Sequence, residues 1–89
     1  RVLPLREAPY ESAVIRFTEA LAAEVKLEGI TVNVIMPTTI DTPANRAAMP
    51  KADPRKWATP DEVASAILFL ASAEASGVTG SAVSVPGRG

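Results

Sequence analysis

Apolar residues recur every three or four positions in the first third of the chain. The stretch ESAVIRFTEALAAEVKL, residues 11–27, places Val14, Phe17, Leu21 and Val25 on one stripe. This spacing is the period of an amphipathic α-helix. The sequence therefore predicts a helix over residues 11–27.

The pattern changes directly after this helix. Gly29 is a predicted left-handed stop, and ITVNVIM, residues 30–36, is rich in β-branched residues with apolar side chains on both alternating faces. Near-continuous apolar strands are typical of parallel sheets that helices cover on both sides. We therefore predict a strand buried on both faces and an α/β architecture.

A second helix and a second strand complete the pattern. In TPDEVASAILFLAS, the N-cap Thr59, the first helical residue Pro60 and Glu62 form a capping box. The predicted buried stripe is Val63, Ala66, Ile67 and Leu70, and SAVSV, residues 81–85, is a predicted strand. The order helix, strand, loop, helix, strand predicts a parallel crossover, but two strands alone leave both sheet edges unpaired.

The loop between these units, residues 36–57, is dense in Pro, Thr and Asp. A loop at the carboxyl end of a parallel strand lies at the ligand-binding edge of an open α/β sheet. Taken alone, its short polar residues are types that satisfy loop backbone and cap helices, and its mixed charges are typical of solvated surface. Trp57 is predicted to be a buried anchor of this loop.

Composition removes several classes of function. With 47% hydrophobic and 21% charged residues and a net charge of -1, the chain is predicted to fold and has no electrostatic signature for nucleic acid or anionic membrane. The absence of Cys and His excludes disulfides, thiolate nucleophiles, the usual zinc sites and a Ser-His-Asp triad. With neither an apolar run of membrane-spanning length nor a signal-peptide pattern, we expect a cytoplasmic protein.

Two long segments carry a family resemblance. AVIRFTEALAAEVKLEGITVNVIMP, followed by TPDEVASAILFLASAEASGVTGSAVSV, resembles the C-terminal half of the short-chain dehydrogenase/reductase family over residues 12–85. The order P-x-x-I-D-T-P-x-N-R-x-x-M-P-x-A-D-x-x-x-W resembles the dihydropteridine reductase branch. The resemblance implies the C-terminal portion of a Rossmann-like, doubly wound parallel sheet, with residues 1–10 as an unmatched N-terminal segment.

The resemblance also assigns a role to the loop. In the family, this loop passes over the nicotinamide end of NAD(P), whose carboxamide bonds to backbone and to a Thr hydroxyl. By motif, Pro37, Ile40 and Thr42 occupy those cofactor-binding positions. Thr38 stands where the family commonly has Gly.

The acid/base pair of the family is not matched. The family uses Tyr-x-x-x-Lys, in which the ammonium lowers the pKa of the phenol. Counting from Tyr10 places Val14 at the Lys position, whereas counting from the Ser12 match places Glu11 there and Glu7 at the Tyr position. We therefore assign no catalytic residue and interpret Tyr10 as an anchor at the helix start.

The phosphate-binding turn of the family is missing as well. Its G-x-x-x-G-x-G spacing occurs nowhere among the five glycines, and no helix follows the terminal PGRG to present free amides to a phosphate. We therefore expect that these residues alone do not hold NAD(P). The unmatched start favours a truncated or altered chain.

Two hypotheses remain open. One is a C-terminal segment of an NAD(P)-dependent oxidoreductase for a small carbonyl or pteridine, and the other is a non-catalytic α/β interaction module derived from that family. Because the family pairs the first helix and the last strand with partner subunits, the resemblance also implies a homo-oligomer. We assign no metal site.

Overall fold

The computed structural model describes residues 8–89. Helix α1 (Ala8–Val25) leads through a 3-10 turn (Lys26–Glu28) to strand β1 (Val34–Pro37), and the loop that follows holds a short helix α2 (Pro43–Ala48) and a 3-10 turn (Pro54–Lys56). Helix α3 (Pro60–Leu70), a third 3-10 turn (Ala73–Ala75) and strand β2 (Ala82–Val85) complete the order. The predicted order of elements is confirmed.

Helix α1 differs from its predicted bounds at both ends. It begins at Ala8 rather than at residue 11, and its α-helical part ends at Val25. The next turn tightens to 3-10 geometry, which is common at helix ends. Gly29 then takes φ 75°, so the predicted left-handed stop is confirmed.

The two strands form a parallel pair with Val34 opposite Ala82 and Pro37 opposite Val85. Residues 30–33 were predicted to belong to β1 but lie outside it. Their backbone bonds to a loop instead, since the Val32 N–H donates to the Thr79 hydroxyl over 3.1 Å and the Val32 carbonyl accepts from Gly80 N–H over 2.8 Å.

The prediction that β1 is buried on both faces is wrong for this chain. All four of its residues are half-buried. The cause lies in the sheet, because β2 is the only strand that pairs with β1 among the described residues.

Helix α3 starts as predicted but buries less. The Thr59 hydroxyl accepts from Glu62 N–H over 3.1 Å, and the Glu62 carboxylate accepts from Thr59 N–H over 2.8 Å, so the capping box is confirmed. Ile67, placed in the predicted buried stripe, is 50% exposed, whereas the other members of that stripe, Val63, Ala66 and Leu70, are half-buried.

Few side chains are buried anywhere in residues 11–89. The buried apolar residues are the small side chains Ala22, Ala58 and Ala75, while Phe17 is 67% exposed. Apolar surface therefore lies open on both long helices.

Candidate functional site

The loop after β1 is fixed through one buried alanine. Ala58 is 0% exposed and forms an isolated parallel bridge with Ile40. Its N–H donates to the Thr39 carbonyl over 3.1 Å, and its carbonyl accepts from Asp41 N–H over 2.8 Å. The peptide groups on both sides of Ile40 are thereby held in place.

This arrangement determines where the Ile40 backbone points. In a trans peptide the carbonyl and the N–H lie on opposite sides of the chain. Because the Thr39 carbonyl and Asp41 N–H face Ala58, the N–H and carbonyl of Ile40 both face away from it. The N–H of Ile40 has no hydrogen-bond partner within residues 8–89. Ile40 thus presents a free donor beside an acceptor.

Thr42 lies next to this pair through Asn45. Thr42 is the N-cap of α2, and its hydroxyl oxygen accepts from Asn45 N–H over 3.1 Å. The Asn45 side-chain amide donates to the Ile40 carbonyl over 2.8 Å. Asn45 therefore ties Ile40 to Thr42, while the hydroxyl hydrogen of Thr42 and the second lone pair of the Ile40 carbonyl stay available.

The third predicted residue occupies a separate position. Pro37 is the last residue of β1, in register with Val85. It lies at the carboxyl end of the strand, where the loop begins, whereas Ile40 and Thr42 lie within the loop. The structure thus brings together two of the three predicted residues. Sequence reasoning gave no role to Asn45, although its position three residues after a Thr N-cap could have indicated one.

The loop carboxylates are paired with arginines. Arg46 donates from Nε and Nη2 to the two Asp41 oxygens, over 2.7 and 2.9 Å. Hydrogen bonds from Arg46, opposed by desolvation, lower the pKa of Asp41, and Arg55 lowers the pKa of Asp53 in the same way. Both carboxylates are therefore ionised near neutral pH and paired with arginines, which agrees with the interpretation of these mixed charges as solvated surface.

The C-terminal tail closes over residues 55–58. Arg88 N–H donates to the Lys56 carbonyl over 2.9 Å, and the Arg88 side chain donates to the Arg55 and Trp57 carbonyls, each over 3.3 Å. Its Nη1 also donates to Glu62 over 3.0 Å. We call this set of contacts the Arg88 clamp.

Glu62 serves the clamp and the helix cap together. Hydrogen bonds from Arg88 and then from Thr59 N–H lower its pKa to about 2. Sequence reasoning considered the tail as a phosphate turn and as part of a subunit contact, and missed this role. The available signal was a lone Arg on the tail and an acidic N3 residue at the start of α3.

Trp57 is half-buried and lines a small cavity of about 190 Å3. Its other lining residues are Arg46, Met49, Pro50, Ala52 and Pro54. This volume is below the usual range of small-molecule sites, which begins near 300 Å3. Trp57 therefore packs within the loop, although it is less buried than predicted.

Four residues bear on the predicted mismatch with the family's acid/base pair. Tyr10 lies in α1 by its backbone, Val14 is exposed, Glu11 is half-buried, and Glu7 falls outside the described residues. No group of three or more acidic residues within residues 8–89 is placed to hold a metal ion. No helix in that range is long and apolar enough to cross a bilayer.

Comparison with known families decides the affiliation. The family model described as Enoyl-(Acyl carrier protein) reductase matches residues 8–87. A crystal structure of an oxidoreductase of the short-chain dehydrogenase/reductase family from Burkholderia thailandensis superposes with a TM-score of 0.74 at 36% identity, covering 85% of this chain and 34% of that one. The chain belongs to the short-chain dehydrogenase/reductase family.

Further relatives are similar in structure or in sequence. A 3-oxoacyl-(acyl-carrier protein) reductase with bound NAD from Brucella melitensis has a TM-score of 0.75 at 38% identity, over 94% of this chain and 33% of that one. Galactitol 2-dehydrogenase of Rhizobium johnstonii is 47% identical over 84% of this chain. The predicted α/β, Rossmann-like class is confirmed.

The chain is much shorter than these relatives. It covers 33% of the galactitol 2-dehydrogenase and 36% of the 3-oxoacyl-(acyl-carrier-protein) reductase FabG of Vibrio harveyi, to which it is 35% identical. It therefore spans about a third of the relatives it matches.

Proposed function

We propose that this chain is the nicotinamide-side segment of a short-chain NAD(P)-dependent oxidoreductase. The observation that carries the proposal is the Ile40 backbone, which turns a free N–H and an adjacent carbonyl away from Ala58. The hydroxyl of Thr42 lies beside them through their shared partner Asn45.

A nicotinamide carboxamide fits this set of groups. Its carbonyl needs a donor, which the Ile40 N–H supplies, and its NH2 needs acceptors, which the Ile40 carbonyl and the Thr42 oxygen supply. Each protein oxygen already accepts one bond from Asn45 and keeps a second lone pair. When bound, NAD(P) supplies the hydride chemistry, and these residues only hold and orient its amide.

The other parts of the family's site are not matched in these residues. The phosphate turn and the Tyr/Lys pair have no counterpart in this sequence at the matched positions. We therefore propose that the 89 residues alone show neither tight NAD(P) binding nor turnover, since a missing acid/base costs about two to four orders of magnitude in rate.

The proposed substrate is a small carbonyl compound or the corresponding alcohol. Relatives named for galactitol and for 3-oxoacyl groups support this class. The resemblance of the loop to the dihydropteridine reductase branch adds a quinonoid pteridine to the substrates to assay. A cytoplasmic location and a homo-oligomeric state belong to the same proposal.

A pair of chimeras tests the function. Residues 12–89 replace the matching segment of the Rhizobium johnstonii galactitol 2-dehydrogenase, so that the enzyme keeps its own acid/base pair. A second chimera carries residues 7–89, which place Glu7 and Glu11 at the pair's positions. Oxidation of galactitol with NAD or NADP is then followed by the absorbance of the reduced cofactor.

We expect turnover from the shorter chimera and a rate about two to four orders of magnitude lower from the longer one. Glu7→Tyr together with Glu11→Lys is expected to restore turnover to the longer chimera. A shorter chimera that folds and binds galactitol but neither binds NAD nor turns over would refute the proposal, and would favour the non-catalytic interaction module.

A further inference from the structure

We propose that Arg88 is a positioning residue for the cofactor-facing backbone of Ile40. The inference rests on the proposed function for the meaning of that backbone, but its geometry stands by itself. Arg88 lies 48 positions after Ile40 in the sequence, and a continuous series of hydrogen bonds joins the two.

The series begins at the tail. Arg88 contacts three consecutive carbonyls, those of Arg55, Lys56 and Trp57, through side-chain and backbone N–H groups. These carbonyls belong to the three residues that directly precede Ala58 in the chain. Three donors from a single residue fix the orientation of this segment against the tail.

A second contact holds the clamp to α3. The guanidinium of Arg88 donates from both Nη atoms to the two oxygens of Glu62, which also caps the helix at Thr59. Paired N–H···O bonds of this kind fix geometry as well as charge. Because Ala58 lies between Trp57 and Thr59, it is held from both sides.

Ala58 connects the Arg88 clamp to the loop through two backbone hydrogen bonds. Its N–H and carbonyl bond to Thr39 and Asp41, and these two bonds determine the direction of the Ile40 N–H and carbonyl. A shift of Ala58 would therefore rotate the peptide groups that present the proposed carboxamide site.

Exposure limits the effect on overall stability. The side chains of Arg88 and Glu62 are 54% and 40% exposed, and exposed ion pairs contribute little to folding. Removal of the clamp is therefore expected to change the local order of the loop more than the global fold.

The test is amide hydrogen exchange by NMR on the 89-residue chain. Arg88→Met keeps an unbranched side chain and removes every side-chain donor. Arg55→Met is the matched control because, among residues 8–89, the Arg55 side chain bonds only to Asp53. Asp41 N–H reports on the Ile40 loop. Val34 N–H, which bonds to Ser81, reports on the sheet in the same sample.

Arg88→Met is expected to accelerate exchange at Asp41 about tenfold, the equivalent of one ordinary hydrogen bond, and to leave Val34 unchanged. Arg55→Met is expected to change neither amide. Equal exchange at Asp41 in the parent chain and in Arg88→Met would overturn the inference, as would a parallel acceleration at Val34.

Glu62→Gln provides a second variant if Arg88→Met does not fold. It keeps an acceptor for the cap and weakens the contact to Arg88, so exchange at Asp41 is expected to rise while Val34 stays protected. Unchanged exchange at Asp41 would again overturn the inference. Because these readouts need no cofactor, failure of the clamp is distinguishable from failure of the chimeras to use NAD.

Discussion

Gly87 lies directly against the backbone of Ala58. A Cβ atom built on Gly87 would stand 2.6 Å from the Ala58 nitrogen, and the residue has φ +72°. Only glycine combines this backbone conformation with so close an approach. The tail can therefore reach residues 55–58, where the Arg88 clamp forms, because position 87 has no side chain.

Gly87→Ala is expected to lower the free energy of unfolding by about 2 to 4 kcal/mol, since it adds backbone strain to overpacking. Urea denaturation measures the change. Gly77→Ala is the matched control, because no atom of the described part of the chain lies within 4 Å of a Cβ at Gly77. Similar losses of unfolding free energy for the two variants would show that the close approach at position 87 does not affect stability.

Asn33 joins the start of β1 to the segment before β2. Its side chain donates to the Val78 carbonyl over 2.9 Å and accepts from Ser81 N–H over 3.1 Å. Asn33→Ala leaves both part-buried groups unpaired and is expected to cost about 1 to 3 kcal/mol in urea denaturation. Asn33→Asp keeps the acceptor and should cost less; equal costs would exclude a role for the Ser81 bond.

Stability is expected to fall in acid through Glu62. Its folded pKa of about 2 lies below the ordinary value of 4.5, so its contribution is complete above pH 4.5 and is lost as the pH falls toward 2. Thermal unfolding of the parent chain and of Glu62→Gln over this range measures the contribution. The difference between the two should shrink with acid, and a constant difference would contradict the assigned pKa.

We propose self-association through the apolar stripe of α1. Val14 and Phe17 are 50% and 67% exposed, and contiguous apolar surface of this kind is unusual on monomers. Phe17→Glu is expected to shift the sedimentation coefficient toward that of the monomer. Leu27→Glu, at a residue 95% exposed and beyond α1, should leave it unchanged. A folded parent chain that stays monomeric as its concentration rises would contradict the proposal.

Local signals made much of the fold predictable. The capping box needs only Thr59 and Glu62, three residues apart, and the left-handed stop needs only Gly29, so both followed from the sequence. These features depend on short-range chemistry that residue types reveal directly. The role of Thr42 at the loop site, in contrast, came from the family resemblance and not from a local signal.

Contacts between residues distant in the sequence could not be predicted from such local signals. Arg88 and Glu62 are 26 residues apart, and their meeting depends on the parallel pairing of β1 and β2. Ile67 was predicted to be buried because its spacing suits a covered helix face, but spacing does not show how much of that face the neighbouring strands cover. The bounds of β1 shifted because Val32 and Asn33 bond to a loop rather than to a strand.

The most direct test of the carboxamide site compares two cofactors on the chimera with residues 12–89. Reduced 3-acetylpyridine adenine dinucleotide keeps the carbonyl that is attached to the ring of NADH, but a methyl group replaces the amide NH2. Isothermal titration calorimetry gives the dissociation constant for each, so redox potential does not enter. If Ile40 and Thr42 hold the carboxamide, the analogue binds about tenfold more weakly, the loss expected for one hydrogen bond. Equal dissociation constants would contradict the assignment.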